Sequence, residues 1–335
     1  MTKKKLLWQI PFLLLLIVGT VLIIRRQNAA PYQHFEGYVF GTVFHATYQS
    51  EEPLDSLFTA EFNRVDASLS MFNPLSTAAR INDNKPVQDD PMFQEVALRA
   101  MQIAADTDGA FDPTVGPLVN LWGFGFKRGL EPSEEAIDSL MNYIGYEKVK
   151  ILPHCQVEKQ SPNIALDLSA IAKGYAGDVI AKMLKAHGVE NYMVEIGGEI
   201  VVGGVSPKRV PWKIGVTKPN DDGEGDDGEV QYILNITDCG IATSGNYRNF
   251  YYRDGKKYAH TIDPKTGMPV QHNILSATVI AADCASADAY STAFMVMGLE
   301  KAQQVLERHP EMKAYFILST PEGGTTTWMS EGIED

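Results

Sequence analysis

Four stretches of this chain place small, polar and charged residues at spacings that a plain hydrophobic core does not need. The first runs Asp108-Gly109-Ala110-Phe111-Asp112-Pro113-Thr114-Val115-Gly116-Pro117 and continues into Leu121-Trp122-Gly123-Phe124-Gly125. Glycine and proline at this density build a fixed loop whose backbone N–H groups can face a ligand. The second, Leu166-Asp167-Leu168-Ser169-Ala170-Ile171-Ala172-Lys173-Gly174-Tyr175-Ala176, reads as a strand over 164–168 feeding a helix. Ser169 is a candidate N-cap there, and Lys173 follows in the first turn. A helix N-terminus beside a lysine suits an anion. The third joins Gly240-Ile241-Ala242-Thr243-Ser244-Gly245-Asn246, with a tight polar turn at 243–245, to His260-Thr261-Ile262-Asp263-Pro264-Lys265-Thr266-Gly267. On a strand His260 and Ile262 face one side, Thr261 and Asp263 the other. The fourth contains Asp288, Ser291 and Thr292, which share one helical face at i, i+3 and i+4. A carboxylate with a hydroxyl beside it suits a hard cation such as Mg²⁺. Each stretch also has a bland reading: a connector around a packed Trp122, an N-cap with a solvated lysine, a structural histidine, a hydroxyl bonded back to its own helix.

The elements that must position these residues follow from periodicity. Helices are expected over 53–72, 92–106, 133–144, 169–187, 284–297 and 299–309, and strands over 37–48, 192–196, 212–216, 230–236, 246–253, 258–262, 274–282 and 313–319. Helices and strands are segregated rather than strictly alternating, so the expected class is α+β, with mixed helices and antiparallel sheets. Gly223-x-Gly225-x-x-Gly228 matches the dinucleotide fingerprint in letters only. It lies in the run DDGEGDDGE at 221–229, opens no helix and would repel a pyrophosphate; a solvated hairpin loop is expected. Neither Gly-x-Ser-x-Gly nor a P-loop occurs.

Charge divides the 335-residue chain in two. Residues 1–30 hold five basic and no acidic residues; the other 24 basic and 42 acidic residues leave the body at −18. That balance argues against nucleic-acid binding. Leu6 to Ile24 carries no charge and follows three lysines. As a helix it would extend about 28 Å, near the hydrocarbon thickness of a bilayer. The expected organisation is a cytoplasmic tail at 1–5, a signal anchor or transmembrane helix at 6–26, a linker at 27–36 and a catalytic domain at 37–335. The lysines orient the body to the extracytoplasmic side. Cys155, Cys239 and Cys284 show neither CxxC nor Cys/His spacing, so they read as small hydrophobes rather than as a zinc site or disulfide framework.

Taken together and in order, the four stretches resemble the ApbE family, the FAD:protein FMN transferases. The resemblance runs from about Gly37 to Ser319 and rests on residues 109–125, 166–175, His260-Thr261-Ile262-Asp263-Pro264-x-Thr266-Gly267 and Asp288-Ala289-x-Ser291-Thr292. It implies an ApbE-like, T-fold-like body. It also implies Mg²⁺-dependent transfer of FMN from FAD to a Thr or Ser hydroxyl of an acceptor flavoprotein, with release of AMP. FMN-binding subunits of membrane redox complexes are candidate acceptors. By position, the metal would be held by Asp288, Thr292 and the backbone carbonyl of Ala170, with Ser291 adjacent. FAD would lie against Phe40, Phe72, Ala110, Phe111, Asp112, Asp167, Lys173, Thr261 and Ile262. Phe40-Gly41-Thr42 departs from the Met-Gly-Thr of many members but keeps an apolar wall. No cysteine follows the apolar run, so a lipoprotein anchor is not implied. The resemblance places the body in the periplasm, at a bacterial inner membrane. His260 is the candidate general base, since an imidazole titrates near neutrality. Two other readings use the same pocket: an FAD pyrophosphatase giving FMN and AMP, and a non-catalytic periplasmic FAD-binding protein.

Overall fold

Alternating side chains in the β-rich half build one sheet with two different faces. The computed structural model describes residues 11–20, 30–124, 132–219, 229–246, 250–253, 256–259, 261–321 and 324–333. In chain order the elements are α1 (residues 11–20), β1 (Tyr32–Val39), β2 (Thr42–Gln49), α2 (Asp55–Leu69), α3 (Thr77–Asn82), α4 (Pro91–Asp106), α5 (Gly116–Leu121), α6 (Glu134–Met141), β3 (Val149–Leu152), β4 (Gln156–Lys159), α7 (Ser169–Ala186), β5 (Tyr192–Ile196), β6 (Glu199–Gly203), β7 (Trp212–Thr217), β8 (Val230–Ile236), β9 (Cys239–Gly245), β10 (Phe250–Arg253), β11 (Lys256–Ala259), β12 (Ile274–Ala281), α8 (Cys284–Met297), α9 (Leu299–Arg308), β13 (Lys313–Ser319) and β14 (Thr325–Met329). Eight strands pair antiparallel in the order β1-β2-β5-β6-β9-β12-β13-β14.

On β13, Ala314, Phe316 and Leu318 point into the helical core, while Tyr315 and Ile317 point to the opposite face. The first face is covered by α2, α4, α7 and α8. The second is covered by the β7–β8 hairpin through Trp212, Ile214, Val216 and Leu234. A smaller cluster of Leu118, Trp122, Ile137, Ile144 and Ile262 ties α5 and α6 to the segment after residue 260. There Trp122 Nε1 donates to the Gly267 carbonyl at 2.8 Å. The mixed helices and antiparallel sheet are those expected of the α+β class.

Several local expectations are corrected. The strand read at 37–48 is two strands joined at Phe40-Gly41, both at positive φ (51° and 78°), as a two-residue hairpin turn requires. The segment 164–168 is not a strand. Its alternation is real, with Ile164, Leu166 and Leu168 buried. Its backbone, however, is held by a side chain: the Leu166 amide donates to Asn82 Oδ1 at 2.7 Å and its carbonyl accepts from Asn82 Nδ2 at 2.8 Å. Ser169 is the first residue of α7 rather than its cap, and its amide donates to Asp167 Oδ1 at 2.9 Å. Thr243-Ser244-Gly245 is no turn but the end of β9, paired with Ser276–Thr278 of β12. The strands read at 246–253 and 258–262 are the shorter β10 and β11; beyond them Ile262 makes an isolated bridge to Pro269. Strands β3, β4, β6, β9 and β14 and helices α3 and α5 have no counterpart among the expected elements.

Most of the acidic 221–229 run lies outside the described residues. The flanking strands pair Thr217 with Val230, so it connects a hairpin and leads into a strand, not a helix. Residues 6–10 and 21–26 of the expected anchor, with the expected tail at 1–5 and linker residues 27–29, also lie outside the described residues. Among the described residues no helix is long and apolar enough to cross a membrane.

Backbones approach closely where α7 crosses α8. A Cβ built on Gly174 would come within 2.2 Å of the Cys284 carbonyl oxygen. Backbone offers no compliant end to yield, so Gly174→Ala must push the two helices apart. It is expected to lower stability by about 1–3 kcal/mol, measured by denaturant unfolding; an unchanged midpoint would show that the crossing is loose.

Candidate functional site

Helix α8 starts where two aspartates satisfy its free amides. Asp283 caps it by accepting from the Ser286 amide at 2.8 Å, and Arg99 donates to the same Oδ1 at 2.6 Å. Asp178, from α7, accepts from the amides of Cys284 and Ala285 at 2.8 and 2.9 Å. These bonds fix the rotation of α8, and with it the face that carries Asp288 and Thr292.

Helix α7 contributes a kink. Ala170 departs from helical geometry (φ −92°, ψ 20°). The Gly174 amide, which regular pairing would direct at the Ala170 carbonyl, donates to Asp288 Oδ2 at 3.1 Å. From β9, Ser244 Oγ lies 2.9 Å from Ser291 Oγ and 3.2 Å from Thr292 Oγ1. From the start of β6, Glu199 Oε1 accepts from Lys173 Nζ, while Glu199 Oε2 is buried with no hydrogen-bond partner. The Gly197-Gly198 turn, at φ 66° and 107°, sets Glu199 there.

These groups line a cavity of about 340 Å³ whose walls include Ala110, Phe111, Asp112, Asp167, Ala170, Lys173, Glu199, Ser244, Thr261, Ile262, Asp288 and Thr292. A second cavity of about 350 Å³ is walled by Phe40, Val65, Leu69, Met71, Phe72 and Phe124. Both share Val119, Asp167, Ser169 and Lys173, so they form a polar arm and an apolar arm of one cleft.

Most residues singled out in the sequence therefore meet in one place. Ser291 does not enter the cavity: it is fully buried behind Thr292, and its hydroxyl donates to the Asp288 carbonyl at 2.9 Å. Asp112 lines the wall, but its carboxylate pins the glycine-rich loop. Its Oδ1 accepts from the Thr114 amide and hydroxyl at 2.8 and 2.7 Å, and Oδ2 from the Tyr146 amide at 2.9 Å. Thr261 donates to Asn246 Oδ1 at 2.6 Å, and both are buried. His260 lies outside the described residues. Glu199 and Asp178 were missed. A Gly-Gly-Glu turn after an apolar strand was the available signal for the first; for the second there was none, since an aspartate on a helix is common.

The charges fit this crowding. Burial pushes the Asp288 carboxyl up, against the pull of Lys173 and the Gly174 amide. Burial also pushes Glu199 up, to about 7, with Lys173 opposing and Asp288 adding to it. For Lys173, burial works to lower the ammonium's pKa, but the two carboxylates outweigh it and hold it above the ordinary lysine value. Asp288 and Thr292 bring a carboxylate and a hydroxyl, both hard oxygen ligands, to the cavity, and the kinked Ala170 lines it beside them. That set suits Mg²⁺, although no cluster of three His, Cys, Asp or Glu that could hold a metal occurs among the described residues.

A buried carboxylate–lysine–hydroxyl cluster at the floor of a cleft large enough for a dinucleotide is the layout of a phosphoryl-transfer enzyme. The ApbE family profile matches residues 40–316, and the chain belongs to the ApbE family. Its relatives include FAD:protein FMN transferases of Escherichia coli (strain K12), 35% identical over 91% of this chain and 89% of that protein, and of Vibrio cholerae, 34% identical over 92% and 94%. Among solved structures, the flavin transferase ApbE from Vibrio cholerae superposes with a TM-score of 0.81, at 34% identity over 91% of this chain and 99% of that one. The apo form of Pseudomonas stutzeri flavinyl transferase ApbE gives 0.79, at 33% identity over 90% and 96%.

The Asp178 anchor predicts a pH dependence. Burial raises its carboxyl to about 7, against the two amide hydrogen bonds. An unfolded aspartate titrates near 3.9, so between about pH 4 and 7 the folded chain holds a proton the unfolded chain has lost. The stabilisation from this group is complete below the unfolded value and is lost as pH rises through the folded one. From about pH 5 to pH 8 the wild type is expected to lose more stability than Asp178→Asn, by more than about 1.4 kcal/mol. Equal losses in denaturant titrations would contradict this.

Proposed function

We propose that the chain is an FAD:protein FMN transferase, and that its cleft moves FMN from FAD to a Thr or Ser hydroxyl of an acceptor flavoprotein. The observation that carries this is the meeting of Asp288, Thr292, Lys173 and the glycine-rich loop in the polar arm, next to an apolar arm walled by Phe40 and Phe72. In the reaction the acceptor oxygen bonds to the phosphorus of the FMN half. The bond from that phosphorus to the pyrophosphate bridging oxygen breaks, AMP leaves, and the hydroxyl proton passes to a base.

The flat rings of the dinucleotide find aromatic partners in Phe40 and Phe72. Lys173 brings a permanent positive charge to the phosphate oxygens, held charged by Glu199 and Asp288. Asp288, Thr292 and the Ala170 carbonyl would hold Mg²⁺, with Ser244 and Ser291 fixing the Thr292 hydroxyl. Bound there, the ion would neutralise charge developing on the transferred phosphoryl group. His260 serves as the base that takes the hydroxyl proton. The chain's own anchor, residues 6–26, would hold this domain on the extracytoplasmic, periplasmic side of a bacterial inner membrane; the uncharged run behind three lysines supports that placement. A pyrophosphatase would need only water in place of the acceptor, so it is an outcome of the same assay.

The test is to incubate the body with FAD, Mg²⁺ and a candidate acceptor domain and to follow covalent flavin by in-gel fluorescence and intact mass. The wild type is expected to label the acceptor and release AMP. Asp288→Ala is expected to lose at least about a hundredfold in rate, and His260→Ala to lose about a hundredfold or more across neutral pH. FMN and AMP without acceptor labelling would assign the pyrophosphatase instead. Full activity in Asp288→Ala would overturn the metal assignment.

A further inference from the structure

The polar arm is built to receive an anion, yet its own charge is negative. Its lining residues among those described include four carboxylates (Asp112, Asp167, Glu199 and Asp288) against a single ammonium, Lys173, a formal charge of −3. That ammonium is not left to the ligand: it pairs with Glu199 Oε1 at the cavity floor. The other oxygen of Glu199 is buried without a partner, on a side chain with only 7% of its surface exposed. A buried carboxylate oxygen with no donor is costly. An amide of the same shape would still accept from Lys173, but without the negative charge.

We propose that Glu199 is a positioning residue that couples cation binding to FAD binding. By holding Lys173 and adding a surplus carboxylate, it keeps the polar arm repulsive to a pyrophosphate until a divalent cation is present. This inference rests on the flavin-transferase reading above. The charge arithmetic gives its sign. Without a cation, two phosphates meet a pocket in which the one positive group is already engaged. With a divalent cation on Asp288 and Thr292, the same surplus charge favours the cation, the cation offsets the negative charge the phosphates meet, and FAD binds tightly. Coupling between two ligands is reciprocal, so FAD must tighten the cation by the same factor, and couplings of this kind typically amount to about 5–150-fold. The consequence for function is that the cleft does not load FAD in a form it cannot turn over.

The experiment is equilibrium dialysis of FAD against the folded wild type, Glu199→Gln and Lys173→Met at about pH 8, once with EDTA and once with saturating Mg²⁺. Melting curves confirm that each variant folds. For the wild type, FAD is expected to bind at least about fivefold tighter with Mg²⁺ than without. For Glu199→Gln the metal-free affinity should rise and the ratio should fall toward one; a merely structural role for Glu199 would weaken both arms alike. Lys173→Met should weaken both arms. If Glu199→Gln does not fold, the wild-type ratio still decides: equal FAD affinity with and without Mg²⁺ overturns the inference. An unchanged ratio in folded Glu199→Gln also overturns it. Absence of any FAD binding by the wild type would overturn the flavin-transferase reading itself, a distinguishable result.

Discussion

The hydrogen bond from the Gly174 amide to the Asp288 carboxylate, 3.1 Å across the contact of α7 with α8, is the constraint on which the site depends. It is possible only because α7 has no Cβ at the crossing, where one would strike the Cys284 carbonyl. It goes with the kink at Ala170, a residue that lines the same cavity as Asp288. A single close approach of two helices thus sets a carboxylate against the N-terminal turns of a kinked helix. The capping of α8 by Asp178 and Asp283 stops that helix from turning out of this arrangement.

The rest of the fold supports the crossing from two sides. The eight-stranded sheet carries β9 beneath α8 and so brings Ser244 to Ser291 and Thr292. The turn before β6 delivers Glu199 to Lys173 from the same sheet. The glycine-rich loop closes the third wall, rigidified by a buried Asp112 whose oxygens are spent on backbone amides and on the Thr114 hydroxyl. Burial of so many carboxylates is unfavourable for the bare chain, as the raised Asp288 and Glu199 carboxyls indicate. Such an arrangement is retained where a ligand relieves it. A cation-assisted reaction on a pyrophosphate provides that relief.

The sequence disclosed this site unevenly, for physical reasons. Asp288 and Thr292 were legible because helical spacing alone puts them on one face. Ser291 shares that spacing but is rotated into the core, where it serves Ser244 and the Asp288 carbonyl; face-sharing does not say which side meets a cavity. The 164–168 segment alternates like a strand, but a side chain, Asn82, occupies its backbone instead of a neighbouring strand. Thr243-Ser244-Gly245 looked like a turn because its residues are small and polar. Ser244 is polar because it meets the α8 hydroxyls of Ser291 and Thr292, and the Thr243 hydroxyl pairs with that of Thr278 on β12. Glu199 and Asp178 act through partners more than twenty residues away, and no local pattern announces such pairing.

Anomalous diffraction from crystals of the protein soaked with Mn²⁺ in place of Mg²⁺ locates a cation in the cleft without reference to activity. One strong peak is expected in the polar arm, bonded to the Asp288 carboxylate. A peak elsewhere, with Asp288 left on the Gly174 amide alone, would contradict it.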